Sequence, residues 1–255
     1  MRGMVHKNAS SSMVRLGGEL ISSQVVERLA QELRSGCYAN CERLPAEVEL
    51  SETLGVSRTV VRDALSELER EGFIERVRGI GTMVNRDVVA LNNRLDQKLE
   101  FYSMIESRGM TPHSDHVQLA RQEADEALAK SLGVRPGDMV LHVRKRVFAD
   151  ATPVIFSDDV LPLPLFGSRR LEDVDFSAPI FDVLYRLTGI QTTSSVAHVD
   201  AVVGDPSIRR LLSVGQDKAL LLLDEICYSR LCSPVMHCYT YYTDFFDFQI
   251  VRKLL

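Results

Sequence analysis

The stretch GVSRTVVRDALSELEREGFIERVRGIGTMV, residues 55–84, changes its apolar period halfway along, and that change limits what can be built around it. Up to Glu71 the apolar residues Val61, Ala64, Leu65 and Leu68 recur at spacings of three and four, the single stripe of an amphipathic helix. From Phe73 onward they alternate in period two around Gly79 and Gly81, as in a short hairpin. Ser57 stands where a helix N-cap belongs, and Gly72 where the helix must stop. Upstream, SSQVVERLAQELRSG (22–36) carries a stripe of Val25, Val26, Leu29 and Leu33 closed by Gly36. RLPAEVELSETLG (43–55) reads as a helix with Pro45 in its first turn and Glu47 and Glu49 at its positive end. Three helices and a hairpin in so short a span form one compact unit, with a helix, a tight turn and a second helix at its centre.

Beyond it, NRDVVALNNRLDQK (85–98) is expected to be a linker leading into a helix that ends near Arg108 and Gly109. The period then becomes that of strands. LGVRPGDMVLHVRKRVFADATPV (132–154) resembles LSVGQDKALLLLDEICYSRLCSPV (212–235): Leu-x-Val, a turn, an apolar strand, a second turn, then Pro-Val opening another strand. Each copy follows a short helix, and strands around 116–121 and 196–203 precede those helices. A strand–helix–hairpin unit used twice predicts an antiparallel sheet with helices on one side, an α+β domain. The expected organisation is a tail over 1–17, a helical unit over 18–84, a linker over 85–98 and the sheet domain over 99–255.

The sequence carries no apolar run of membrane-spanning length and no apolar core of signal-peptide type near its start, so a cytoplasmic protein without a membrane partner is expected. Its five cysteines, Cys37, Cys41, Cys227, Cys232 and Cys238, are odd in number and irregularly spaced, which suits reduced thiols. They lack the spacing of a structural zinc site, so no metal and no cofactor is expected. No nucleophile–base pair stands out, and no enzymatic activity is expected.

The chain has a formal net charge of −5, and within 22–84 eight arginines face ten glutamates and one aspartate. This argues against nonspecific binding of a polyanion by the whole surface but leaves room for a local basic face. Position has to do what the sum does not: Arg58 and Arg62 lie four apart on one flank of the third helix, and Arg78 lies at the hairpin turn. A helix start with spare amides, a capping Ser57 and forked arginines suits phosphate and guanine edges, and a glycine-rich tip enters a minor groove without side-chain clash. The alternative is an ordinary solvated helix face.

LPAEVELSETLGVSRTVVRDALSELEREGFIERVRGIGTMV resembles the winged helix-turn-helix domain of GntR-family bacterial transcription regulators, with its Leu-Pro-x-Glu, Leu-Gly-Val-Ser-Arg-Thr-x-Val-Arg and Gly-x-Gly-Thr elements. The resemblance implies that Ser57, Arg58, Thr59 and Arg62 contact double-stranded DNA, with Glu47 near the same surface and Arg78 and Gly79 reaching from the wing. Val48 departs from the pattern, since members can carry a base-reading arginine there. Residues 95–255 are similar to the UTRA effector domain of the HutC-like branch, which shares its fold with chorismate lyase. RGMTP, LGVRPGD, DATPV followed by LP, and TDFFDFQIVRK carry that similarity.

Arg144 and Arg146 alternate along one strand with His142 and Phe148 and so share a face, where two guanidinium groups can clamp an anion. The resemblance implies that this pair holds an effector's anionic group, and that Ser157, Asp159, Cys238, Thr240 and Tyr242 complete the pocket. Ser157 and Cys238 stand where sugar-phosphate-binding members tend to carry acids, and Glu100 where they carry a small phosphate-binding residue. The expected effector is an anionic organic metabolite with an apolar part, and the expected protein a homodimeric repressor on a palindromic operator. Two alternatives remain: a second domain that only dimerises, or a chorismate-lyase-like enzyme.

Overall fold

A computed structural model describes residues 21–97 and 100–253. The tail expected over 1–17 lies outside the described residues. Two compact units emerge: residues 21–91 joined by 251–253, and residues 92–250.

The first unit opens with helices α1 (Ile21–Ser35), α2 (Glu47–Leu54) and α3 (Arg58–Arg70), then strands β1 (Ile74–Val77) and β2 (Gly81–Val84). Val61, Ala64, Leu65 and Leu68 of α3 are fully buried against Val25, Leu29 and Leu33 of α1 and Leu50 of α2. Burying each leucine contributes on the order of 1.5–3 kcal/mol. Gly55 ends α2 in the left-handed region at φ 66°, and two residues later Ser57 caps α3, its Oγ accepting from the Val60 amide at 3.3 Å. β1 and β2 pair antiparallel from Ile74 opposite Val84 to Val77 opposite Gly81. The segment expected as linker contains a further turn of helix, α4 (Arg86–Val89), capped by Asn85 and burying Val88 and Val89 in the same core. The Arg86 guanidinium fixes it by donating to the carbonyls of Leu33, Tyr38, Ala39 and Cys41.

The second unit contains α5 (Phe101–Glu106), β3 (Pro112–Glu123), α6 (Glu126–Leu132), β4 (Met139–Ala149), β5 (Thr152–Pro162), α7 (Ile180–Thr188), β6 (Thr192–Val202), α8 (Pro206–Leu212), β7 (Leu220–Ser229) and β8 (Pro234–Tyr242). The strands form an antiparallel sheet in the order β3-β4-β5-β8-β7-β6. The sequence repeat is thus a structural one: β3-α6-β4-β5 and β6-α8-β7-β8 meet through β5 and β8, with Ser157 opposite Thr240 and Asp159 opposite Cys238. The two helices even end alike, with Gly133 at φ 66° and Ser213 at φ 55°.

Helices cover both faces of the sheet, not one as the repeat had suggested. α6 packs on Val140 and Val160, and α8 residues pack with Phe156 and Leu220, on one face. The opposite face is covered by the segment 163–190, including α7, over Leu141, Val143, Leu161, Met236 and Cys238. α5 covers the end of that same face with Met104 and Ile105 against Val147, Ile155 and Tyr242. The strand period alone could not show this, because the covering segment 163–190 lies outside the repeat.

Candidate functional site

In the first unit, α3 presents Arg58, Thr59 and Arg62 to solvent, with Ser57 exposed at its start. Glu47 opens α2 and its carboxylate approaches Arg62 Nε at 3.7 Å. A pair at this distance, with the arginine side chain 57% exposed, holds Arg62 weakly and leaves it available to an anion. Arg78 and Gly79 are exposed in the turn between β1 and β2, where Gly79 adopts φ 79°. Of the other arginines here, Arg76 is drawn back by Glu69, whose carboxyl is held below its ordinary value by that hydrogen bond, and Arg70 pairs with Glu67. Helix start and wing therefore keep exposed cations, while Arg70 and Arg76 are drawn to acids and Arg86 to backbone carbonyls.

Sequence reasoning missed Arg43. Its guanidinium lies against Gly81, where a Cβ would come within 2.5 Å of Nε, and its backbone bridges Met83 of β2. The one available signal was the arginine directly before Leu-Pro in RLPAEVEL.

In the second unit the seven residues expected to hold an effector divide between the two faces of the sheet. Arg144 and Arg146 point to the α6/α8 face and line a groove of about 720 Å³ with Phe156, Asp158, Ser207 and Arg210. Both are engaged within the sheet: Arg146 donates to Asp115 at 2.7 and 2.5 Å and to the Leu211 carbonyl, and Arg144 donates to Asp158 at 2.8 Å. Asp158 also accepts from His142 Nδ1 at 2.9 Å. Burial alone would raise the Asp158 carboxyl, but the hydrogen bonds with His142 and Arg144 carry it below its ordinary value. The Arg146 hydrogen bond does the same for Asp115.

Asp159, Cys238, Thr240 and Tyr242 point to the other face and line a cavity of about 310 Å³. Ser157 lies behind it, fully buried, with its Oγ donating to Asp159 at 3.3 Å. Arg94, Asp96, Glu100, Phe101, Phe181, Glu225 and Phe248 complete much of the wall. Among the described lining residues, carboxylates thus outnumber the single guanidinium. Between the two faces' demands stands Lys145, the neighbour of both clamp arginines. It is 1% exposed and its Nζ donates to the Ala178 carbonyl at 2.7 Å on the cavity side of the sheet. Burial pushes its ammonium below the usual lysine range, and Asp159 and Glu100 partly oppose that. Lys145 and Glu225 escaped the sequence reading because a long apolar strand shows no sign of which of its alternate positions faces a cavity. Among the described residues no cluster of three or more metal-ligating side chains occurs, and no helix is long and apolar enough to cross a membrane.

Comparison with known proteins gives two adjacent matches. Residues 21–84 match the family of bacterial regulatory proteins, gntR family, and residues 107–244 match the UTRA domain. The chain is 26% identical over 219 residues to the HTH-type transcriptional repressor NagR of Bacillus subtilis, covering 86% of this chain and 88% of that one. It is 25% identical over 206 residues to the mannosyl-D-glycerate transport/metabolism system repressor MngR of Escherichia coli, covering 81% and 84%. The crystal structure of PhnF from Mycobacterium smegmatis superposes with a TM-score of 0.58 at 25% identity, over 92% of this chain and 99% of that one.

Proposed function

From the premise that this chain belongs to the gntR family of bacterial regulatory proteins and carries a UTRA domain, and so is a DNA-binding transcriptional regulator and not an enzyme, we propose that it is a cytoplasmic repressor released from its operator by a small molecule in the sheet domain. The observation that carries the reading is the exposed set Ser57, Arg58, Thr59 and Arg62 at the start of α3, with Arg78 and Gly79 exposed in the wing, in a unit where Arg70 and Arg76 are paired with Glu67 and Glu69. Ser57, the α3 amides and the arginines engage phosphates, and Arg58 or Arg62 reads base edges in the major groove. One such module binds weakly, so the protein acts as a homodimer on a palindromic operator. Repression is supported by the names of NagR and MngR, both called repressors.

The effector occupies the 310 Å³ cavity, against Asp159, Cys238, Thr240 and Tyr242. Its wall combines aromatic and aliphatic side chains with Glu100, Asp159 and Glu225. That lining suits a metabolite with an apolar part and hydroxyl or amino donors better than a bare anion, because a carboxylate-rich wall repels negative charge. A second reading keeps the anionic effector at Arg144 and Arg146, in the groove on the opposite face. There an anion has to compete with Asp115 and Asp158 for guanidinium groups already engaged.

A thermal-shift screen of sugars, sugar phosphates, amino acids, organic acids and nucleosides separates the two, run on the wild type, Thr240→Phe and Arg144→Ala/Arg146→Ala. Stabilisation abolished by Thr240→Phe and kept by the double variant is expected. The reverse pattern moves the effector to the groove. A stabilising ligand that leaves operator affinity unchanged would reduce the sheet domain to a dimerisation module.

A further inference from the structure

Cys238, in the cavity wall, has a second thiol beside it, that of Cys227. Cys227 of β7 and Cys238 of β8 bring their sulfurs to 3.8 Å, and they are 0% and 2% exposed. Cys238 stands opposite Glu225 and Cys227 opposite Met236, so the two are diagonal neighbours across the β7–β8 ladder. Diagonal pairs lie near the limit of disulfide reach. The register slips directly after Cys227, between it and Tyr228, and such an irregularity loosens the ladder where the sulfurs must approach.

Buried thiols are ordinarily inert, but Cys238 lines the cavity. Of the two, Cys238 is the one a water-sized oxidant in the cavity can approach, since Cys227 does not line it. The Lys145 ammonium lies close enough to interact with Cys238 and offsets in part the carboxylates of Asp159 and Glu225 that stand opposite it, a neighbouring cation favouring the nucleophilic thiolate. Cys37, Cys41 and Cys232 have no such setting, Cys37 and Cys232 being exposed on the surface.

We propose that Cys227 and Cys238 are a peroxide-responsive pair that closes to a reversible cross-strand disulfide. The Cys238 thiolate attacks one oxygen of hydrogen peroxide. The O–O bond breaks, the departing hydroxide takes a proton to become water, and Cys238 is left as a sulfenic acid. The Cys227 sulfur then attacks that sulfur. The S–S bond forms as the S–O bond breaks, and the hydroxyl leaves as water with the Cys227 proton. Two thiols lose two electrons and one peroxide gains them, giving two waters. A strained cross-strand bond belongs to the labile, reducible class. Closing it draws Cys238 towards β7 and reshapes the wall against which the effector is placed. That consequence rests on the cavity being the effector site; the bond itself does not.

The test is non-reducing peptide mapping of the full chain after treatment with stoichiometric hydrogen peroxide. Trypsin cuts after Lys218, Arg230 and Arg252 and so places Cys227 and Cys238 on different peptides. The expected product joins those two peptides with the loss of two hydrogens, and dithiothreitol reopens it. The Cys37→Ser/Cys41→Ser/Cys232→Ser protein removes competing thiols, and the wild type read by fragmentation guards against a folding defect in that variant. Adding Cys227→Ser is expected to strand Cys238 as a sulfenic acid captured by dimedone. Cys238 oxidised without a cross-link while Cys227 is present, or both thiols recovered unreacted, overturns the proposal. Neither result bears on operator binding, so failure here is distinct from failure of the regulatory reading.

Discussion

Arg62 shows how a side chain can stay available in a protein of net negative charge. Its ion pair with Glu47 is long and solvent-exposed, worth about 0–1 kcal/mol, too little to hold it against a phosphate or a guanine edge. Arg62→Ala is expected to weaken operator binding by about 1–3 kcal/mol if it reads a base, with relaxed preference at that position, measured by fluorescence anisotropy. A uniform loss across sequences with a shallower salt slope would assign it to phosphate instead. At the wing, Gly81 adopts φ 120° with the Arg43 guanidinium against it. Gly81→Ala is expected to cost about 1–3 kcal/mol, chiefly through backbone strain, and to displace Arg43 from β2; an unchanged melting temperature would contradict this. In the sheet, the folded-state value of Asp158 is depressed. The stability it confers is therefore complete above the ordinary aspartate value of about 3.9 and is lost as the pH falls through the lower folded value. The stability gap between the wild type and Asp158→Asn should accordingly be open at neutral pH and narrow in that acid window, read from denaturant midpoints against pH.

Periodicity gave the elements of the first unit closely because one face of each is buried and the other wet. The stripe Val61, Ala64, Leu65, Leu68 marks the core face of α3, and all four are fully buried. Leu65→Ala is expected to cost about 2–5 kcal/mol by denaturant unfolding. α4 was read as linker because four helical residues, Arg86–Val89, are too few to show a period. In the sheet, period two correctly set Arg144 and Arg146 on one face, but it says nothing of which face closes over a cavity. That is decided by 163–190, a segment that pairs with no strand and whose docking on Leu141, Cys227 and Met236 no local pattern announces. Hence four of the expected effector residues line one cavity while the two arginines line a groove behind it. The same reading singled out Cys238 as a pocket residue but could not pair it with Cys227, since that adjacency arises only from the β7–β8 register.

For the whole molecule, the internal repeat was the most informative long-range feature: its two copies are the two halves of the sheet, joined at β5 and β8. The sequence held no sign that the chain returns to the first unit at its end. Gln249 donates to the Asn93 carbonyl at 3.0 Å and accepts from the Leu95 amide at 2.7 Å. Two residues later Val251 packs in the core of the first unit, close to Gly72 and Val88, and Lys253 Nζ donates to the Glu69 carbonyl. Val251→Asp is expected to destabilise the first unit by about 1–3 kcal/mol, lowering hydrogen-exchange protection in α3 while leaving β4 and β5 unchanged. Equal loss in both units, or none, would count against that local role. The central claim is that a molecule in the sheet-domain cavity controls DNA binding by the winged helix. Its most direct measurement is operator anisotropy, with DNA selected from a random pool, on the wild type and Thr240→Phe with and without the ligand found by thermal shift. The account predicts that the ligand raises the wild-type dissociation constant at least about tenfold, a coupling within the usual 1–3 kcal/mol range, and leaves Thr240→Phe unmoved. Equal release of both proteins, or of neither, would contradict it.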